Sequence, residues 1–68
     1  MSRPFEENRE LAAGAIDDMY LQLSRMARTY NNYIDHGAVN AAAQLHEEME
    51  DLGRDILAEE EIYRMAFY

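Results

Sequence analysis

The sequence predicts an all-α fold: an antiparallel two-helix hairpin that dimerises into a four-helix bundle. Three observations support this prediction. Two long segments carry apolar residues at alternating spacings of four and three, the pattern of a helix stripe that faces a core. One cluster of turn-forming residues separates the two segments. The first stripe is wider than one neighbouring helix can cover, which favours a second copy of the hairpin.

The first predicted helix covers about residues 3–34. Pro4 suits the first turn of a helix, and Glu6 and Glu7 favour the positive end of the helix dipole. The stripe then consists of Ala12, Ile16, Met19, Leu23, Met26, Tyr30 and Tyr33. Five flanking apolar residues widen it to about 140° of the helix circumference. They are Phe5, Ala15, Tyr20, Ala27 and Ile34.

The turn is predicted at about residues 35–37 and the second helix at about 38–67. Gly37 is the natural left-handed residue past a helix end. The second stripe consists of Ala38, Ala42, Leu45, Met49, Leu52, Ile56, Glu59, Tyr63 and Ala66. Because a buried carboxylate needs a partner, Glu59 is predicted to pair with Arg9 and so to set the register of the two helices.

A chain of 68 residues forms at most one domain and buries a small core. It contains no cysteine, so neither a disulfide nor a thiolate metal site can stabilise it, and oligomerisation is the expected substitute. A single hairpin is expected to leave apolar side chains in water, namely Met19, Tyr20, Met26, Met49 and Phe67. No apolar run of membrane-spanning length and no secretion signal is seen, so we expect a cytoplasmic protein.

The formal net charge of −8 disfavours a nucleic-acid ligand and favours a neutral or basic protein partner. Most of the charge comes from "LHEEMEDLGRDILAEEE", residues 45–61. Helical phase turns most of these acids away from the stripe, as a solvated face with ion pairs such as Glu50–Arg54. A column of acids spaced by four invites a functional interpretation, because like charges at that spacing destabilise a helix. This column is Asp51, Asp55 and Glu59.

Residue patterns for metal binding or catalysis are missing. A di-iron bundle site needs a Glu-x-x-His step, but the residue three before His46 is Ala43. His36 falls in the turn, and neither a calcium-binding loop nor a combination of nucleophile, base and orienting group is found. The sequence therefore predicts no enzyme activity, no metal and no cofactor.

The hairpin layout with its heptads resembles the ROP family of plasmid regulators. This resemblance implies a dimeric four-helix bundle and binding of paired RNA loops through basic side chains, for which Arg25 and Arg28 are the candidates. A second segment, "HEEMEDL" at 46–52, is similar in placement to the Ser-Gln-Glu-Leu-Asp motif of small aspartyl-phosphate phosphatases. It keeps only Glu48 of that motif.

The C-terminal "ILAEEEIYRMAFY" is apolar nearly all round and is expected to be buried on more than one side. Ile62 and Met65 either complete the dimer interface with Leu11 and Phe5 or bind a partner. The candidate partner-binding residues are Leu57, Ile62, Met65, Phe67 and Tyr68, together with Arg25 and Arg28.

The favoured function is a small acidic, non-enzymatic protein-binding regulator or adaptor, for instance an inhibitor, that acts as a homodimeric bundle. Two alternatives remain open. One is an acidic mimic of nucleic-acid charge that blocks a basic cleft. The other is an RNA-binding regulator of the ROP type.

Overall fold

The computed structural model describes residues 4–68 and contains two α-helices in that range. Helix α1 spans Pro4–Asp35 and helix α2 spans Val39–Phe67. The predicted helix start near residue 3 lies outside the described residues. The prediction of an all-α two-helix hairpin is confirmed.

The two helices run antiparallel and lie side by side. Near the turn the ring centroids of Tyr30 and His46 are 5.9 Å apart, and at the far end those of Phe5 and Phe67 are 5.3 Å apart. The Cα atoms span 55 × 20 × 12 Å. The hairpin is therefore a slab that is two helices wide and one helix thick.

The turn occupies residues 36–38, one residue later than predicted. Gly37 adopts the left-handed conformation, with φ of 73°. The N–H of Ala38 donates to the Tyr33 carbonyl at 2.8 Å, and the N–H of Gly37 donates to the Ile34 carbonyl at 3.1 Å. These are the two bonds of a Schellman motif, which satisfies the last carbonyl groups of α1. No side chain caps the start of α2, and the connection between the helices is closed by these backbone bonds together with the contact of the His36 side chain to the Asn32 carbonyl.

The interface between the helices buries little. Of the described residues, only Ala42 and Ile56 are buried apolar side chains. All seven predicted stripe residues of α1 are half-buried against α2, as are Leu45, Met49, Leu52, Tyr63 and Phe67 of α2. Met19, Met26, Met49 and Phe67 are thus half-buried in one hairpin, and the expectation that they would be exposed is wrong. Tyr20 is exposed.

The predicted stripe of α2 is wrong at its C-terminal end. Glu59 and Ala66 are exposed, whereas Glu60 and Phe67 are half-buried. The reason is helical pitch: a seven-residue repeat drifts by about 20° per repeat along a straight helix, so the drift after three repeats moves the inward position from Glu59 to Glu60, while eighteen residues make five full turns. Glu60 lies eighteen residues after the buried Ala42 and therefore faces α1.

The predicted ion pair between Arg9 and Glu59 does not form within the hairpin. Glu59 points to solvent, and Arg9 contacts Tyr63 and Tyr68 of α2 instead. Tyr63 was correctly predicted to face α1. Arg9 therefore contacts an aromatic side chain at the level where the carboxylate of Glu59 was expected. The register is set at this end by aromatic contacts.

Candidate functional site

Exposed apolar side chains concentrate at the end of the hairpin opposite the turn. We call residues 4–20 of α1 and 57–68 of α2 the open end. Of the ten large apolar side chains that are exposed in the described part of the chain, seven lie there: Phe5, Leu11, Tyr20, Leu57, Ile62, Met65 and Tyr68. Met65 and Tyr68 are 78% and 83% exposed. Large apolar groups left in water to this degree mark a surface that another molecule can cover.

Arg9 joins the two helices at the open end. Its Nε donates a hydrogen bond to the Tyr63 hydroxyl at 3.0 Å, and its guanidinium lies 5.4 Å from the centroid of the Tyr68 ring, within cation–π range. The hydrogen bond to Tyr63 is the main cause that raises the pKa of Arg9 above its usual value. Phe67 packs on Phe5 and lies 5.0 Å from Tyr63, centroid to centroid. Surface contacts, with no closed core, thus hold this end together.

A groove of about 720 Å3 lies beside these contacts, between the two helices. Its lining combines apolar, acidic and basic groups: Ala13, Ile16, Asp17, Tyr20, Glu60, Tyr63, Arg64 and Tyr68. The Tyr20 hydroxyl donates a hydrogen bond to the Glu60 carboxylate across the groove. That bond raises the pKa of Tyr20, because it stabilises the protonated hydroxyl. The groove is built from both helices, so it exists only when the hairpin is closed.

The candidate partner-binding residues of α2 fall into two groups. Leu57, Ile62, Met65 and Tyr68 are exposed, whereas Phe67 is half-buried against Phe5. The Tyr20–Glu60 contact and the tyrosine partners of Arg9 were missed. The eighteen-residue spacing from Ala42 to Glu60 could have identified the inward carboxylate, but the reach of a long arginine side chain leaves no such signal.

The acidic column is exposed along α2, at Asp51, Asp55 and Glu59. Arg54 forms an ion pair with Asp51 and not with Glu50, so the predicted Glu50–Arg54 pair is wrong. Residues three apart on a helix are neighbours, as residues four apart are, and Arg54 pairs with Asp51, the acid three residues before it. Glu50 lies 3.4 Å from Nδ1 of His46.

The other candidate residues lie away from the open end. Arg25 and Arg28 are both exposed in the second half of α1. His36 at the turn places Nδ1 2.7 Å from the Asn32 carbonyl oxygen. Across residues 4–68, no three histidine, aspartate or glutamate side chains come together as metal ligands. Neither described helix has the length and apolar character needed to cross a membrane.

Comparison with known proteins identifies no relative. No family model matches the chain, and neither a curated protein nor a solved structure is significantly similar to it. Any function must therefore be argued from the surfaces of the hairpin itself.

Proposed function

We propose that this chain is a non-enzymatic protein-binding regulator or adaptor, which acts as a homodimeric helical bundle and contacts its protein partner through the open end. The observation that carries the proposal is the exposure of Ile62, Met65 and Tyr68 at the end of α2. Because they are spaced by three, these side chains lie next to one another on the outer surface of the helix. Ile62 and Met65 lie on the outer side of α2 by helical phase, while Tyr68 also lies near the guanidinium of Arg9 of α1.

The small core supports the dimeric part of the proposal. With two buried apolar residues and facing stripes that are only half-buried, the hairpin of 65 described residues buries little apolar surface to offset its chain entropy. Covering one side chain of the size of Leu or Phe contributes about 1.5–3 kcal/mol. Covering several in a dimer would supply an amount comparable to the whole stability of a small domain, which is about 5–15 kcal/mol.

The chemistry of the open end indicates the kind of partner. Methionine is flexible and polarisable, and aromatic rings provide large contact areas, so Met65 and Tyr68 suit an apolar anchor on another protein. Exposed acids flank this ridge at Glu59 and Glu61. A partner whose apolar anchor is surrounded by neutral or basic residues would therefore fit best, with the charge of −8 steering its approach.

One alternative has an observation in its favour. Asp51, Asp55 and Glu59 form an exposed acidic column, and an acidic decoy for a basic cleft would use such a surface. Binding by charge weakens steeply as salt rises, whereas binding through an apolar ridge responds little. Salt dependence therefore separates the two functions.

The test compares the wild-type chain with two variants as tagged bait in an extract of the source organism. Ile62→Glu plus Met65→Glu places charges on the ridge, and Leu21→Glu is the matched control because Leu21 is exposed outside the open end. We expect one protein to be retained by the wild type and the control, and its retention by the double variant to fall about tenfold or more, as for a lost binding hot spot. Circular dichroism of all three proteins establishes that each remains helical.

Two outcomes would contradict the proposal. In the first, the double variant retains the same protein as the wild type. In the second, retention by all three baits collapses between about 0.05 M and about 0.5 M salt, which would support the acidic decoy.

A further inference from the structure

One flank of α1 carries an apolar residue at every seventh position, beside the residues that face α2. This flank row consists of Ala13, Tyr20, Ala27 and Ile34. Residues seven apart are separated by two turns and lie on nearly the same side of a helix. In the hairpin the two alanines are half-buried, but Tyr20 and Ile34 remain 46% and 48% exposed. The large members of the row are thus left uncovered by α2.

The flank row alternates small, large, small and large, so its reverse order is complementary to it. If two copies of α1 pack antiparallel with their centre between residues 23 and 24, every large side chain meets an alanine. Tyr20 then lies opposite Ala27 of the second copy, and Ile34 opposite Ala13 of the second copy. Such alternation lets two facing layers interdigitate.

We propose that a second copy of this chain packs on this face, with the two turns at opposite ends of the bundle and the two-fold axis passing between residues 23 and 24. The proposal rests on the homodimer of the proposed function and adds to it the face and the direction of pairing.

Helix α2 independently supports the same axis. His46 lies eighteen residues before Arg64, which lines the groove with Tyr20, so His46 is on the side of the flank row. Gly53 lies seven residues after His46 on that side, and a side chain there would meet nothing within 4 Å in a single hairpin. The midpoint of His46 and Gly53 is level with residues 23 and 24 to within about one helical turn. The same axis therefore places the imidazole opposite a residue without a side chain.

The face is large enough for a stable dimer. With this axis the two copies overlap over about 41 Å of the helix length, which at a width of 20 Å offers about 800 Å2 per copy, close to the roughly 800 Å2 per partner of a standard interface. On the opposite face the α2 half carries Glu48, Asp55 and Glu59, whereas on the proposed face Asp17 and Glu60 lie near Arg64 in the groove.

This arrangement leaves the last turns of each open end uncovered. With the axis between residues 23 and 24, the turn of the second copy reaches about the level of residue 10 in α1 and of residue 63 in α2. Met65 and Tyr68 extend past that point, whereas Leu57 lies beneath the second copy. The dimer therefore presents two identical partner-binding ends, one at each end of the bundle.

Cysteine cross-linking tests the proposal, since the native chain contains no cysteine. Ser24 lies beside the axis and points across the interface, while Gln22 is exposed on the other side of α1 at almost the same level. Two helices about 8–10 Å apart place the Cα atoms of the two copies of residue 24 about 4–6 Å apart, which suits a disulfide. The experiment oxidises Ser24→Cys and, as its matched control, Gln22→Cys with copper phenanthroline.

We expect Ser24→Cys to give about tenfold or more covalent dimer than Gln22→Cys, because paired thiols have a high effective concentration. Sedimentation equilibrium of the reduced proteins shows whether each variant is a dimer. It therefore distinguishes a wrong pairing face from the absence of any homodimer. If both variants are dimeric but only Gln22→Cys cross-links, the opposite face pairs and the inference is wrong. If both are dimeric and neither cross-links, the pairing about an axis between residues 23 and 24 is wrong. If they are folded monomers, the homodimer of the proposed function fails as well.

Discussion

The two ends of the hairpin hold their helices together by different means. At the turn, backbone hydrogen bonds around Gly37 close the connection, and Ala42 is buried against α1. At the open end, Arg9, Tyr63 and Tyr68 make contacts on the surface, and the apolar side chains around them are exposed. The turn end leaves Ile34 and Val39 exposed, while the open end leaves seven large apolar side chains exposed. The backbone connection at the turn is closed within one chain, whereas most of the exposed apolar surface lies at the open end.

A charge in the interface between the helices should have the largest effect. Ile56 is 2% exposed, so Ile56→Asp should lower the free energy of unfolding by about 3–5 kcal/mol through lost packing and a buried carboxylate. Met65→Asp at the open end is the control and should change it by less than about 0.5 kcal/mol, because Met65 is exposed. Urea unfolding followed by circular dichroism measures both. If the two variants unfolded at the same urea concentration, the distinction between a buried Ile56 and an exposed Met65 would be wrong.

The turn should be sensitive to backbone conformation alone. Gly37→Ala forces a side chain into the left-handed region and should destabilise the hairpin by about 1–2 kcal/mol, although a Cβ there has free space around it. Gly37→Asn is the control, since asparagine tolerates this conformation better, and it should recover part of the loss. The measurement compares the melting temperatures of the wild type, Gly37→Ala and Gly37→Asn at the same protein concentration. An alanine variant as stable as the wild type would contradict the role given to the turn.

The two helix-interior glycines should differ from each other. Gly14 is exposed and has free space, so Gly14→Ala should stabilise the protein by about 1 kcal/mol through helix propensity. Gly53→Ala should gain less, because the proposed second copy places His46 against it. Thermal melts of both variants provide the comparison. Equal gains would mean that nothing packs on Gly53.

The smallest expected effect concerns pH. The hydrogen bond to Glu60 raises the pKa of Tyr20, so this contact contributes stability when the pH is below the usual tyrosine pKa of about 10. The contribution is lost as the pH rises through the raised pKa and the hydroxyl ionises. Tyr20→Phe lacks the contact at every pH, so its difference in stability from the wild type should shrink above pH 10. A difference that stays constant would show that the hydroxyl makes no such bond.

The local patterns of the sequence were sufficient for the two helices and the glycine turn. Alternating spacings of four and three identified the inward face of α1, since those spacings follow directly from 3.6 residues per turn. The same pattern misplaced the C-terminal half of α2. A seven-residue repeat that starts at Ala38 predicts Glu59 as the inward residue, whereas the straight helix turns Glu60 toward α1.

The contacts at the open end were harder to predict than the helices. Arg9 was paired with Glu59 on the basis of charge, but the guanidinium reaches two tyrosines on the other helix. A long side chain can reach several partners at similar distances, and the spacing of residues along the chain does not show which of these partners it contacts. The identity of a protein partner depends on a second molecule, so no pattern within this chain specifies it.

The central claim is that one hairpin is incomplete and that folding is coupled to dimerisation. The most direct test is thermal unfolding followed by circular dichroism at protein concentrations from about 1 µM to about 100 µM. Because association stabilises the folded state by mass action, we expect the melting temperature to rise steadily with protein concentration. A cooperative melt at a concentration-independent temperature, from a protein that sediments as a folded monomer, would contradict the claim.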